Sequence, residues 1–354
     1  MNSQSHSLPD TRRKTHTKST GTAPPSFILE DLSVDIQIGK QKKKVVDSLT
    51  LQLHPGKTCA LVGESGCGKS VSALAMMNQL PSPPFSKPTG SMRIQGEYHP
   101  LQSCKSHPSM AMIFQNPMTT LNPLLTVGQH LIQSALVHRT RHLEEARLLA
   151  ISSLKDVHML DAASRIDDYP HQLSGGMRQR VLIALALISQ PTVLIGDEPT
   201  TALDLTVQKG VMELIEEIKR ERKLAVLLIS HNISLVGRYA DDVCVMYLSQ
   251  QVESADKKTI LTAPCHPYTR GLLASEPKID NFDKKPLQAI PGVVPSLDAK
   301  PSGCYFHPRC QYAQKQCKEG NIELAPVQEK PQEAHATCGS PHLVRCLRAK
   351  EINR

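Results

Sequence analysis

The run Gly63-Glu-Ser-Gly-Cys-Gly-Lys-Ser70 narrows the fold more than any other stretch of this 354-residue chain. It matches G-x-x-x-x-G-K-[ST], a loop whose glycines let backbone amides turn inward around phosphate oxygens. Such a loop needs a strand to enter it and a helix to leave it, because the helix N-terminus adds its partial positive charge to the cradle. The strand is supplied by the apolar run Cys59-Ala-Leu-Val62. Gly63, Glu64, Ser65, Gly66, Cys67 and Gly68 form the cradle, with Cys67 a small residue that the loop accommodates. Lys69 reaches the outer phosphates, and Ser70 offers a hydroxyl to Mg²⁺.

Other apolar runs without alternation, Thr192-Val-Leu-Ile195 and Leu224-Ala-Val-Leu-Leu-Ile229, read as strands buried on both faces. Between them Val207, Val211, Leu214, Ile215 and Ile218 share one helical face, while Glu213, Glu216, Glu217, Lys219 and Arg220 take the other. Strand and helix in alternation predict an α/β body around a parallel sheet. Three domains are expected: a disordered polar tail over 1–26, the α/β body over 27–275, and a linker with a Cys-rich end over 276–354. The Pro-, Ser- and Gly-rich segment 81–108 reads as loops or short edge strands, and Lys40 to Lys44 as a solvated hairpin tip. With Trp absent and aromatics at 3%, the core must be aliphatic, and stacking platforms for single-stranded nucleic acid are not expected. The tail lacks the apolar run of a secretory signal, and no apolar stretch approaches the ~18 residues of a membrane span, so a soluble chain is expected.

A second element is Val193-Leu-Ile-Gly-Asp197-Glu198. A buried strand ending in two carboxylates is costly unless a cation waits there. Mg²⁺ on the phosphates supplies it for Asp197, and Glu198 then faces a water in line with the γ-phosphate as general base. His231 follows the strand at Leu224 to Ser230, and Gln115 follows Met112-Ile-Phe114. Both stand where ligands of open α/β sheets bind. Gln115 joins Ser70 and Asp197 as a candidate Mg²⁺ neighbour.

The discriminating run is Leu173-Ser-Gly-Gly-Met-Arg-Gln179. Ser174 caps a helix with Val181, Leu182, Leu185 and Ile188 on its apolar face, and Gly175 and Gly176 leave its first amides open to an anion. Here the chain resembles the ATP-binding-cassette family. The run looks like the family's signature motif, Gln115 like its Q-loop glutamine, Ala202-Leu-Asp204 like its D-loop and His231 like its switch histidine. The resemblance implies a phosphate-loop cassette ATPase with a parallel core sheet, an antiparallel β subdomain and a helical subdomain. It also implies head-to-tail pairing of two cassettes, so that Ser174, Gly175, Gly176, Gln179 and Asp204 act on nucleotide held by a partner's phosphate loop. Two positions depart from the family: Ile36 stands where an aromatic residue often stacks on adenine, and Asn232 where Asp usually follows the switch histidine.

Cys265-His-Pro-Tyr-Thr-Arg-Gly-Leu-Leu273, Ile290 to Leu297 and Gly303-Cys-Tyr-Phe-His-Pro-Arg-Cys310 are similar to the C-terminal extension of oligopeptide and dipeptide importer ATPases, a group that includes nickel and metal-chelate importers. That likeness implies an ATPase subunit of a bacterial importer at the cytoplasmic face of the inner membrane. Its partners would be a second ATPase subunit, two membrane-spanning permeases and an external substrate-binding protein. A guanine-specific Asn-Lys-x-Asp run is missing, which removes the GTPase reading, and a soluble cassette ATPase acting on nucleic acid or ribosomes is the alternative of another class. Five of the ten cysteines fall after residue 303. Cys304, Cys310, Cys317 and Cys338, with Cys346 beyond, are spaced more widely than zinc knuckles. A [4Fe–4S] cluster, zinc and unliganded thiols remain the three readings, and some members of the resembling group carry the cluster.

Overall fold

Strands form where every residue of a short apolar run can be buried on one face or the other, and the flanking polar segments stop them. A computed structural model of the chain describes residues 24–104, 106–116, 120–201, 203–276, 289–327 and 341–352. Residues 1–23 of the expected tail, most of the expected linker, Ala202 and Cys338 lie outside the described residues.

The strands are Phe27–Ile38 (β1), Gln41–Leu53 (β2), Thr58–Val62 (β3), Thr89–Ile94 (β4), Glu97–Pro100 (β5), Met110–Ile113 (β6), Val193–Asp197 (β7), Ala225–Ser230 (β8), Asp242–Tyr247 (β9), Gln250–Asp256 (β10), Ala325–Pro326 (β11) and Leu343–Val344 (β12). The helices used below are Lys69–Met76 (α1), Val127–His138 (α2), Leu143–Asp156 (α3), Gly175–Leu187 (α4), Leu205–Arg222 (α5), Ile233–Tyr239 (α6) and Pro267–Ala274 (α7).

The core sheet runs β9-β3-β8-β7-β6, all parallel. Its register pairs Val62 with Ser230, Ile229 with Asp197 and Gly196 with Ile113. The carboxyl ends of four strands therefore finish level, and the loops that follow them converge on one crevice. A second, antiparallel sheet, β5-β4-β1-β2, meets the first through β10, which pairs antiparallel with β9 and makes a single bridge to β2, Gln250 to Asp47. The segment 81–108 thus contributes β4, which is interior, as well as the edge strand β5. The Lys-rich run caps the β1–β2 hairpin, with Lys40 exposed.

α2 and α3 pack Leu131, Ala135, Ala146, Ala150 and Leu154 into one core with α4 and α5. α4 buries Val181, Leu182, Ile183, Ala184, Ala186 and Leu187, so it is a helix covered nearly all round rather than a one-faced surface helix. On α5 the expected apolar face is buried, but Lys219, placed by periodicity on the wet face, is also buried. Its ammonium donates to Glu216 at 2.8 Å and Thr58 at 2.9 Å, and lies 3.7 Å from Asp241; these acceptors make burial of the charge tolerable.

The Cys-rich end folds back onto the body. β12 pairs with β10, and Phe306 enters a core shared with Tyr247 and Tyr268.

Candidate nucleotide site

The phosphate loop is built tightly against β9. A Cβ on Gly63 would sit 2.2 Å from the Met246 carbonyl, and Gly68 turns at φ +105° with the Val45 carbonyl 2.4 Å from where its Cβ would be. Only glycine fits both positions. Lys69 is buried and its ammonium donates to the carbonyls of Gly63 (2.8 Å) and Glu64 (3.1 Å). The charge meant for phosphates is thus satisfied within the loop by carbonyls that a phosphate can replace.

At the ends of β3 and β7 the Ser70 hydroxyl donates to Asp197 at 3.0 Å. Asp197 is 5% exposed. Burial raises its pKa, Ser70 opposes the shift, and neighbouring Glu198 raises it further. A buried carboxylate served by one hydroxyl and crowded by a second carboxylate fits the hard, oxygen-seeking Mg²⁺. Ser70 and Asp197 are the residues that would hold it.

Glu198 adopts φ 48°, a left-handed turn that lifts its side chain off the strand axis. Its carboxylate gathers three partners. The Gln115 amide donates at 3.0 Å and the Thr201 hydroxyl at 2.9 Å, both to Oε2, while His231 Nδ1 lies 2.8 Å from Oε1. Burial would raise its pKa, but the hydrogen bonds from His231 and Thr201 outweigh burial and keep the carboxylate below its usual range. The structure therefore brings Gln115, Glu198 and His231 together, beside the Ser70–Asp197 pair. It joins Gln115 to Glu198 rather than to Ser70 and Asp197. Thr201 was not singled out in the sequence; its place three residues after Glu198 was the available signal.

The signature residues form a separate group. Ser174 caps α4 by accepting from the Met177 amide at 3.3 Å. Gly176 lets α4 approach α5, where a Cβ would meet Val207 Cγ1 at 2.6 Å. Asp204 caps α5, accepting from the amides of Thr206 and Val207 at 3.0 Å each. Gln179 is 1% exposed, with its Nε2 unpartnered, so it faces the interior instead of the surface. Among the described residues no hydrogen bond links Ser174–Gln179 to Gly63–Ser70. The backbone bridge between Ile36 and Phe85 brings an aromatic residue next to the position where the sequence offers only Ile36.

Cys304, Cys310, Cys317 and Cys346 line one pocket together with Phe306 and Ile322. Burial raises the Cys304 thiol to about 11 and the Cys346 thiol to about 12, with the other thiols of the pocket adding to both. Among the described residues, only two other sets, Glu97–His99–His107 and Glu253–Cys265–His342, bring three donor atoms within 4.8 Å of one another. The four thiols are therefore set wider than the tight tetrahedron of a zinc site, whose Zn–S bonds are about 2.3 Å.

Comparison with known proteins follows the same division. The family described as ABC transporter matches residues 46–201, and that described as oligopeptide/dipeptide transporter, C-terminal region, matches residues 252–317. A putative peptide import ATP-binding protein of Brucella melitensis is 44% identical over 299 residues, covering 83% of this chain and 89% of that protein. The dipeptide transport ATP-binding protein DppD of Escherichia coli is 41% identical over 295 residues, covering 82% and 90%. Among solved structures, the ATP-binding cassette MJ0796 bound to ADP and Pi superposes with TM-score 0.56 at 24% identity, covering 65% of this chain and 98% of that one. CbiO1 of Clostridium perfringens gives the same score and identity, covering 68% and 92%. These two establish the likeness of the fold.

Proposed function

Because the chain belongs to the ABC transporter ATP-binding family, we propose that it is the subunit that binds and hydrolyses ATP to drive an importer of dipeptides or oligopeptides. The peptide assignment rests on the names of its relatives and on the matched C-terminal region, and it is favoured over a nickel or metal-chelate cargo on that ground. The observation that carries the ATPase reading is the trio of Gln115, Glu198 and His231 beside the Ser70–Asp197 pair, all at the carboxyl edge of one parallel sheet.

In this reading Lys69 leaves the carbonyls of Gly63 and Glu64 for the β- and γ-phosphates. Ser70 and Asp197 would hold Mg²⁺, which when bound would supply charge neutralisation at the transferring phosphoryl group. Glu198, kept ionised by His231 and Thr201, accepts the proton of the attacking water, while His231 and Gln115 fix its direction. Replacing Glu198 by Gln keeps the shape and removes the base. The expected result is loss of turnover at least 100-fold with ATP binding retained; wild-type turnover in a complex whose second ATPase subunit is inactivated would refute the assignment.

Among the described residues Ser174 and the first turn of α4 make no hydrogen bond to this chain's own phosphate loop, which supports action on nucleotide held by a second ATPase subunit. Among the described residues no helix is long and apolar enough to cross a membrane. We place the chain as a peripheral subunit on the cytoplasmic face of the inner membrane, with two permeases and an external substrate-binding protein. Exposed Phe114, half-buried Leu185 and buried Met112 line a groove of about 400 Å³ suited to an apolar segment of a permease.

We infer that the cysteine pocket is the place for a [4Fe–4S] cluster. Four thiols, those of Cys304, Cys310, Cys317 and Cys346, apolar walls and a spacing wider than zinc needs support this reading. Such a cluster would cross-link the extension. Iron and sulfide in anaerobically purified protein, with absorbance near 400 nm, are expected; stoichiometric zinc without iron would end this reading.

A further inference from the structure

Glu64, the second residue of the phosphate loop, is held at four atoms. Its carbonyl accepts from Lys69. Its backbone N–H donates to the Tyr268 hydroxyl at 2.9 Å. Its carboxylate takes a fork from Arg309, with Nη1 donating to Oε2 at 2.8 Å and Nη2 to Oε1 at 3.1 Å. Tyr268 belongs to α7 and Arg309 to the run Gly303 to Cys310, so both clamps come from beyond the core motifs of the cassette.

Arg309 is itself fixed from several sides. Its Nε donates to the Pro291 carbonyl at 2.9 Å, Nη1 also reaches the Tyr247 hydroxyl at 3.4 Å, and the guanidinium lies within 6 Å of the Tyr247 and Phe306 rings. The side chain is 5% exposed. Burial opposes its charge, yet the hydrogen bonds with Glu64 and Tyr247 prevail and hold the pKa above the ordinary arginine value. Tyr247, Tyr268 and Phe306 pack ring against ring at 4.7–5.4 Å, which removes the rotational freedom of the groups that touch Glu64.

The arrangement matters because Lys69 rests on the carbonyl of the residue that Arg309 and Tyr268 immobilise. Where Glu64 sits decides where Lys69 waits and how the amides after it open toward phosphate. We propose that Arg309 and Tyr268 are positioning residues for nucleotide binding, acting through Glu64, so that the C-terminal extension sets the geometry of the phosphate loop. This rests on the ATPase reading above. A lysine at 309 keeps the charge but cannot form the fork, and Tyr268→Phe removes one hydroxyl while leaving the ring packing in place.

The test is a double-substitution cycle on the purified full chain, read as ATP dissociation constant by calorimetry, with melting temperature recorded alongside. Arg309→Lys and Glu64→Gln are each expected to weaken ATP about tenfold, the loss of one charge-assisted hydrogen bond, and the double variant no further than the weaker single. Tyr268→Phe is expected to weaken ATP about threefold. In the assembled transporter the same variants should raise KM for ATP and change kcat less than twofold. Multiplicative losses in the double variant, or folded Arg309→Lys and Tyr268→Phe chains that bind ATP as the unaltered chain does, would overturn the proposal. An unaltered chain that binds no ATP would instead overturn the ATPase reading on which it rests.

Discussion

Substituting His342 by Ala removes the partner of the most deeply buried carboxylate that the extension touches. Glu253 is 0% exposed and the His342 side chain 8%, with Nε2 lying 2.8 Å from Oε1. Glu253 also accepts from the amides of Cys265 at 2.5 Å and His266 at 3.0 Å. Burial favours neutral His342, but the Cys265 thiol beside the ring and the Glu253 carboxylate overcome it and push the imidazole up to about 9. On Glu253 burial acts upward, and His342 with the two amides prevails, leaving its pKa lowered. The histidine's contribution is therefore complete below its ordinary value of 6.5 and is lost as pH rises through about 9. The carboxylate's contribution is complete above 4.5 and is lost as pH falls through its lowered value. Between them lies a window in which the pair is worth most. The imidazole shift corresponds to about 3 kcal/mol, toward the lower end of the cost of breaking a buried pair, as the two remaining amides require. At roughly 2 °C per kcal/mol for a chain this size, His342→Ala should melt about 6 °C lower at pH 6. The gap should shrink by at least half at pH 9.5. Thermal melts followed by circular dichroism across that range decide it, and an equal gap at pH 6 and pH 9.5 would show that the pair is not ionised in the folded chain.

Three further outcomes follow from the geometry. Gly176→Ala places a methyl 2.6 Å from Val207 Cγ1 and should destabilise the chain by about 1–3 kcal/mol in denaturant melts, with Val207→Ala in the same chain restoring most of it. Ser174→Ala should lower stability by about 1 kcal/mol through loss of the helix cap while reducing ATPase activity of the assembled complex far more than ATP binding to the isolated chain. On the cluster reading, Cys346→Ser should abolish iron incorporation, as measured by iron content after anaerobic purification.

What the sequence disclosed was whatever depends on neighbours along the chain. Gly63 to Ser70 could be read because a phosphate cradle needs its glycines, lysine and hydroxyl at fixed offsets, and β7 and β8 because uninterrupted apolar runs have few other uses. The grouping of Gln115, Glu198 and His231 was expected from their common position at strand ends, which a parallel sheet makes level. Lys219 and Gln179 could not be placed by periodicity, since partners from β3 and an enclosing core decide their burial. Spacing alone favoured Cys338, which lies outside the described residues; that Cys346 joins Cys304, Cys310 and Cys317 in one pocket was not legible, because β12 is held by β10, a pairing with no local signature. The fork between Glu64 and Arg309 was equally illegible: each residue is ordinary in its own surroundings.

That fork also sets a clock. Glu64 leaves the ribosome 204 residues before Tyr268 and 245 before Arg309. At roughly 5–20 residues per second, the phosphate loop of a growing chain waits on the order of 10–50 s for its second clamp. A nascent cassette surrounded by cellular ATP thus passes through a period in which its sheet can form while its loop is unheld, and a segment made 245 residues later supplies the second clamp.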